Sequence, residues 1–353
     1  MSEQLITNIF DKLKIFKDPL TNEPLDQNNS NLTLLCKDGH ANITINIDPQ
    51  KREKYNKLSI EIKKTLENIS ELQSVNIALT SEKNPNPAIK HDKNFEINAS
   101  NIIAVASGKG GVGKSTFAVN LSVALSKLGL NVGLLDADIY GPSIPRMMGI
   151  KDKPKINEHK KLVPLENYNI KCMSIGFIID GDNPAIWRGP MVMKALEQMY
   201  NGVEWGKLDY LIIDLPPGTG DAQITLAQNA KLNGSIIIST PQEIALIDAR
   251  KSINMFKKVG VPITGMVENM SYFICNNCNE KHSIFSSGNV KNEANEFKTN
   301  FLGELPIDIN IRKYADEGTP ICIAEPNSNI TNLYLNIAKK IVDEVKSKHS
   351  FSP

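Results

Sequence analysis

Gly108-Lys109-Gly110-Gly111-Val112-Gly113-Lys114-Ser115-Thr116 follows the apolar run Ile102–Ser107 and opens a stretch of helical character. It fits G-x4-G-K-[ST] in the strand, loop and helix setting that this phosphate-binding pattern requires. Glycines let consecutive backbone N–H groups converge on phosphate oxygens, and the helix that follows adds its positive N-terminal end. Lys114 is expected to reach the β- and γ-phosphates of ATP, the Ser115 hydroxyl to sit on Mg2+, and Thr116 to face the α-phosphate. An ordinary phosphate loop has no need of Lys109. Standing one residue after Gly108, it comes too early to approach its own γ-phosphate as Lys114 does. It is therefore expected to reach a nucleotide on a partner subunit, as an arginine finger does, which implies a face-to-face homodimer. The plainer alternative is a solvated lysine.

Outward from this loop, short apolar runs at Val132–Asp136, Tyr210–Asp214, Ser235–Thr240, Ile263–Asn269 and Phe301–Leu305 alternate with helical stretches. Such strands predict an α/β fold with a doubly wound, mainly parallel sheet covered on both faces. Ligands gather at the carboxyl ends of such strands. Leu134-Leu135-Asp136-Ala137-Asp138 ends in two carboxylates. Asp138, further out, is expected to orient the attacking water, and Asp136 to support Mg2+ or the loop. Tyr210-Leu211-Ile212-Ile213-Asp214 is a Walker B arrangement that places Asp214 near the metal. The stiff loop Leu215-Pro216-Pro217-Gly218-Thr219-Gly220-Asp221 is suited to sensing the γ-phosphate and moving on hydrolysis. A helix over 330–346 either lies on a membrane surface or closes over the sheet, and the second is the plainer reading of its apolar face.

At 353 residues the chain has room for roughly two domains. Residues 1–80 read as a small α+β module in the order α-β-β-α-β, 81–100 as a polar linker with two prolines, and 101–349 as the phosphate-loop domain. Lys plus Arg number 40 against 39 Asp plus Glu, a net charge of +1, which leaves no surplus for a nucleic-acid or anionic-membrane footprint. No apolar run reaches membrane-span length. Met1-Ser2-Glu3-Gln4-Leu5 has neither the basic start nor the apolar run of a signal peptide. Five cysteines, an odd number, do not make a secreted disulfide framework. The expected location is the cytoplasm, with no stable membrane association and free thiols.

Cys275-Asn276-Asn277-Cys278 places two of those thiols on one small loop, suited to a thiophilic metal or a redox pair. Cys36 lies in the other module, Cys172 in an apolar run, and Cys322 is isolated, so one chain does not obviously complete a four-thiolate centre. Two chains about a twofold axis supply four, the number a [4Fe–4S] cluster needs. Three alternatives stand beside this: a Cys2His zinc site begun with His282, a thioredoxin-like disulfide, and two incidental cysteines.

The double-lysine loop at 108–116 resembles the deviant Walker A of the dimeric ATPase class that contains MinD, ParA and the nitrogenase iron protein. Within that class, residues 205–221 (Trp205-Gly206-Lys207 through Asp214-Leu215-Pro216-Pro217-Gly218-Thr219-Gly220-Asp221) resemble the signature of the Mrp/ApbC iron–sulfur carrier ATPases. Asp136-Ala137-Asp138-Ile139-Tyr140-Gly141-Pro142-Ser143, Trp187-Arg188-Gly189-Pro190-Met191, Glu268-Asn269-Met270-Ser271 and Leu305-Pro306-Ile307-Asp308 are similar to the same family. The likeness spans about 100–345. It implies that 108–116 binds Mg-ATP, that Lys109 acts in trans, and that Asp138 assists hydrolysis. It also implies that Asn269 and Pro306 lie near adenine, and that Cys275 and Cys278 bridge a labile cluster across a homodimer for delivery to apo iron–sulfur proteins. Where the family usually has Gly after its second cysteine and later a Gly-Gly pair, this chain has Asn279 and Ser286-Ser287-Gly288-Asn289. Residues 1–80 weakly resemble a small iron–sulfur assembly domain but have Asn46-Ile47-Asp48-Pro49-Gln50 in place of its cysteine-containing stretch, so no metal chemistry is assigned there. The expected function is an ATP-dependent iron–sulfur carrier with slow hydrolysis. The alternatives are a MinD/ParA-like positioning ATPase and a zinc-stabilised, nucleotide-regulated scaffold.

Overall fold

A strand whose every side chain is apolar must be covered on both faces, and a chain that alternates such strands with helices meets that demand by winding to and fro across one sheet. The computed structural model describes residues 3–19, 21–26, 29, 32–37, 40–47, 52–70, 72–80, 97–178, 189–275 and 277–350. Residues 81–96 of the expected linker, Asp48–Gln50, and Trp187 and Arg188 of the family-like stretch fall outside them. The chain divides into two compact units, 1–92 and 93–353.

The smaller unit runs α1 (Glu3–Leu13), β1 (Leu32–Lys37), β2 (His40–Asn46), α2 (Arg52–Leu66) and β3 (Ser74–Thr80). Its sheet has the order β1-β2-β3, with β1 antiparallel and β3 parallel to β2. Ile9, Leu13, Ile43, Ile45, Ile62 and Leu66 form its core. Inside that core the Tyr55 hydroxyl donates to Asp18 Oδ1 at 2.6 Å.

The larger unit begins with β4 (Ala99–Ala106), which enters the span expected as linker. There follow α3 (Lys114–Lys127), β5 (Val132–Asp136), α4 (Ile144–Met147), β6 (Leu165–Asn167), β7 (Ile170–Ser174), α5 (Gly189–Asn201), β8 (Leu208–Asp214), α6 (Asp221–Asn229), β9 (Gly234–Ser239), α7 (Glu243–Lys258) and β10 (Ile263–Glu268). The chain ends through β11 (Phe273–Ile274), β12 (Lys281–His282), α8 (Asn289–Glu296), β13 (Phe301–Glu304), α9 (Ile309–Glu317), α10 (Ile321–Ala324) and α11 (Asn329–Ser350). The sheet order is β13-β10-β9-β4-β8-β5-β7-β6, parallel except for β6 at the edge. β4 and β8 stand at its centre. The register pairs Val105 with Asp214 and Asp136 with Asp214, so three strands end level with one another at the carboxyl edge.

Two features depart from the sequence expectation. β6 and β7 extend the sheet where only an apolar run was noted, because Lys171 breaks the run of apolar letters. The segment after β10 folds into the two-rung hairpin β11–β12, pairing Phe273 with His282 and Ile274 with Lys281. The last helix resolves the choice left open for it: Ile337, Ala338, Ile341 and Val345 are buried against the unit. The Tyr334 ring lies 6.0 Å from that of Phe117 on α3. No helix among the described residues is long and apolar enough to cross a membrane. Ile337 lies so close to Gly303 that even a Cβ there would press on it. Ile337→Ala is expected to destabilise the larger unit by roughly 2–5 kcal/mol, read as a lowered urea midpoint with helix content retained before the transition.

Candidate nucleotide and thiol site

The loop between β4 and α3 carries the whole 108–116 sequence to the carboxyl edge. Gly111 and Gly113 both take φ of 84°, a left-handed conformation that L side chains rarely adopt. At Gly113 a Cβ would also strike the Asn269 amide. At Gly110, by contrast, an added Cβ would meet nothing within 4 Å, so the mouth of the loop is open. The first N–H groups of α3, from Lys114 onward, have no acceptor within their own helix and face that opening. Asn269 holds the loop from the far side, its Nδ2 donating to Val112 O at 2.8 Å while its own N–H donates to Ser239 O at 2.8 Å.

Lys114 is buried and bonds through Nζ to Asp214 Oδ1 at 2.6 Å, with Ser115 Oγ at 3.2 Å and Asp138 Oδ2 at 3.9 Å. Asp214 Oδ2 is buried with no hydrogen-bond partner among the described residues. An orphaned carboxylate oxygen beside a serine hydroxyl, at the foot of an open phosphate loop, is the donor set a hard divalent cation requires. The site therefore fits Mg-nucleotide. Burial raises the Asp214 carboxyl above the usual carboxylate range, and Lys114 and Ser115 oppose that rise. Asp138 is half-buried. Desolvation raises its carboxyl, with Lys114 pulling the other way.

Asp136 is buried outright. Its Oδ2 accepts from Ser174 Oγ at 3.0 Å and from Ile144 N at 3.3 Å, and its Oδ1 from Asp138 N at 3.1 Å. Of the two roles expected for it, metal support or loop support, these bonds are those of the second: Asp136 shapes the turn that presents Asp138. The loop after β8 is fixed in a similar way. Gly218 N donates to Ser107 O at 2.9 Å, and the buried Gln223 side chain donates to Pro216 O. Lys109 is half-buried, and its ammonium makes no ion pair among the described residues.

Beside the loop lies a cavity of about 610 Å³ lined by Gly113, Thr116, Asn269, Met270, Phe285 and Pro306 among others. The two residues expected near adenine thus border it together. The strip that carries them also carries the thiols. Ser271 N donates to Leu305 O at 3.0 Å, Ile307 N to Tyr272 O at 2.7 Å, and Phe273 pairs with Ile307. From there the chain enters the hairpin, with Cys275 and Cys278 at its turn. Cys275 N donates to Glu280 O at 3.0 Å, and Asn279 N to Cys275 O at 2.8 Å. Backbone N–H groups of Cys278 and Asn277, and then the Cys278 thiol, lower the Cys275 thiol below its usual range. Asn279, the departure from family pattern, takes φ of 60°. It adopts the left-handed conformation that glycine favours and asparagine tolerates. Cys172 and Cys322 are buried in the core of this unit, and Cys36 lies in the other.

Sequence reading missed Glu268. Fully buried at the end of β10, it accepts from Ser271 Oγ at 2.6 Å and Gly288 N at 2.9 Å through Oε1, and from Val290 N at 2.9 Å through Oε2. It therefore ties both ends of the hairpin excursion to the sheet and caps α8. The signal was present, a carboxylate ending an apolar strand, but Asp136 and Asp214 show the same signal.

Burial, followed by the neighbouring Asp214, pushes the Asp136 carboxyl from an ordinary 3.8 up to about 7. Between those values the native chain holds a proton that the unfolded chain has shed, so stability falls as pH rises through that interval. The unfolding midpoint of nucleotide-free protein is expected to decline between about pH 5 and 7 more steeply than that of Asp136→Asn. Equal slopes in the two proteins would place the proton elsewhere.

Residues 98–342 match the family described as the NUBPL iron-transfer P-loop NTPases, of the ParA group. The chain is 53% identical over 246 residues, 69% of its length and 79% of the relative's, to an Arabidopsis thaliana iron-sulfur protein required for NADH dehydrogenase. It is 48% identical over 264 residues, 74% of its length and 70% of the relative's, to the iron-sulfur cluster carrier protein of Aquifex aeolicus. Among solved structures it resembles an Archaeoglobus fulgidus nucleotide-binding protein complexed with ADP and containing cobalt. The TM-score is 0.60 and the identity 38%, covering 69% of this chain and 96% of that one. The MinD ATPase of Pyrococcus furiosus shares the fold at a TM-score of 0.52 and 22% identity, over 69% of this chain and 99% of its own. With its match running from the first strand of the larger unit into its last helix, the chain belongs to the family of NUBPL iron-transfer P-loop NTPases.

Proposed function

We propose that the chain binds an iron–sulfur cluster and transfers it to apoproteins, using ATP binding and slow, Mg-dependent hydrolysis to time the exchange. The observation that carries this is the joining, on one body, of an open phosphate loop to a hairpin presenting two thiols, with no third thiol beside them among the described residues. Relatives named as iron–sulfur cluster carriers support the nature of the cargo. Two thiols per chain support a cluster of the [4Fe–4S] type shared by a homodimer, since such a cluster takes four thiolates.

In this proposal Gly108, Lys109, Gly110, Gly111, Val112, Gly113, Lys114, Ser115 and Thr116 hold the nucleotide, and Asn269 and Pro306 border its base. The incoming phosphates compete with Asp214 for Lys114, and the carboxylate so released joins Ser115 in holding Mg2+. When bound there, Mg2+ would supply neutralisation of the triphosphate's charge. Asp138, held outward by Asp136, orients the attacking water. Lys109 crosses to the partner's nucleotide. The ladder from Leu305–Ile307 to Ser271–Phe273 joins the base-side cavity to the thiol hairpin, so a nucleotide-dependent shift of one moves the other.

Anaerobic reconstitution followed by iron, sulfide and zinc counts tests the cargo. Iron and sulfide are expected in equal amounts, one cluster per two chains. Cys275→Ala with Cys278→Ala is expected to abolish that uptake while ATP affinity stays within about twofold of the original; unchanged iron and sulfide would refute the ligand assignment. Lys114→Ala should stop hydrolysis and transfer while the protein still accepts a cluster. Normal delivery by that variant would uncouple nucleotide chemistry from release.

A further inference from the structure

Cys278 stands at the turn of the hairpin, and Glu280 and His282 alternate along the limb that returns from it. Here the Cys278 sulfur, a Glu280 carboxylate oxygen and a His282 ring nitrogen all lie within 4.8 Å of one another. Lys281, between the last two, is turned to the other side. Its ammonium sits 3.8 Å from the centre of the Tyr272 ring and 3.1 Å from Glu304 Oε1, so its positive charge is held off the ligand side. Cys275 shares the turn but lies outside this trio.

We propose that Cys278, Glu280 and His282 form a single-chain seat for one divalent ion of the zinc class, and that this seat competes with the bridging cluster because both use Cys278. Thiolate, imidazole and carboxylate are the donor types that zinc-class ions take, four-coordinate, with a position left for water. The three residues are exposed, which gives the ion a path in. Binding releases the Cys278 thiol proton to solvent and engages His282 as neutral imidazole. A lone chain thereby gains a closed use for a cysteine that would otherwise await a partner. The competition rests on the cluster proposed above, whereas the seat itself needs neither dimer nor iron.

The test is an anaerobic Co2+ titration of metal-free, nucleotide-free full-length protein, followed by displacement with Zn2+. One Co2+ per chain is expected, with thiolate-to-cobalt absorption. His282→Gln and Glu280→Ala should each weaken binding at least about tenfold with ATP binding intact, a loss in the range known for disturbed metal shells. Preloading with Zn2+ should suppress iron and sulfide uptake in the original protein and spare it in His282→Gln. Co2+ held with unchanged affinity and spectrum by His282→Gln, or one ion per two chains, would overturn the seat while leaving the cluster proposal standing. Iron uptake indifferent to Cys275 and Cys278, with the Co2+ titration as expected, would do the reverse.

Discussion

The ion pair of Lys114 with Asp214 governs the larger unit. An ammonium and a carboxylate taken this far from water are tolerable only because each answers the other, and removal of either partner strands a buried charge. The pair can form because β4 and β8 are neighbours in register and the phosphate loop turns back over their ends. It also leaves one Asp214 oxygen unsatisfied. The chain thus keeps this lysine and this carboxylate on each other.

Around that pair the carboxyl edge is organised by a layer of groups that do not face the opening. Asp136 and Ser174 set the turn before Asp138, Gln223 steadies the loop after Asp214, and Asn269 braces the phosphate loop. Glu268 does the same for the hairpin excursion and α8. The carboxylates that end β5, β8 and β10 thus serve differently according to what backbone N–H groups, hydroxyls or ammonium each position supplies.

Much of this was legible in the sequence because the deciding signals are local. A phosphate loop must follow a strand and open a helix, and buried parallel strands are written as unbroken apolar runs; hence β5 and β8 through β10 were found where they stand. What was not legible depends on partners distant in the chain. β7 carries Lys171 inside an apolar run, and only its pairing with β5 makes that run a strand of the sheet. The two roles open to Asp136 in the letters, metal support or loop support, differ only by partners such as the Ser174 hydroxyl from another strand and the Ile144 N–H. Asn279 read as a departure from the family's glycine, yet its backbone conformation is the one the turn needs. The hairpin's two short strands fall below the length at which alternation can be recognised.

Those two rungs have a consequence of their own. A ribbon so short has little stability apart from what anchors its base, so the pincer it forms is sprung rather than rigid. Under the proposed function, a cluster held by Cys275 and Cys278 would leave with little protein structure broken. A courier built this way gives up at delivery hardly more than it gained at loading.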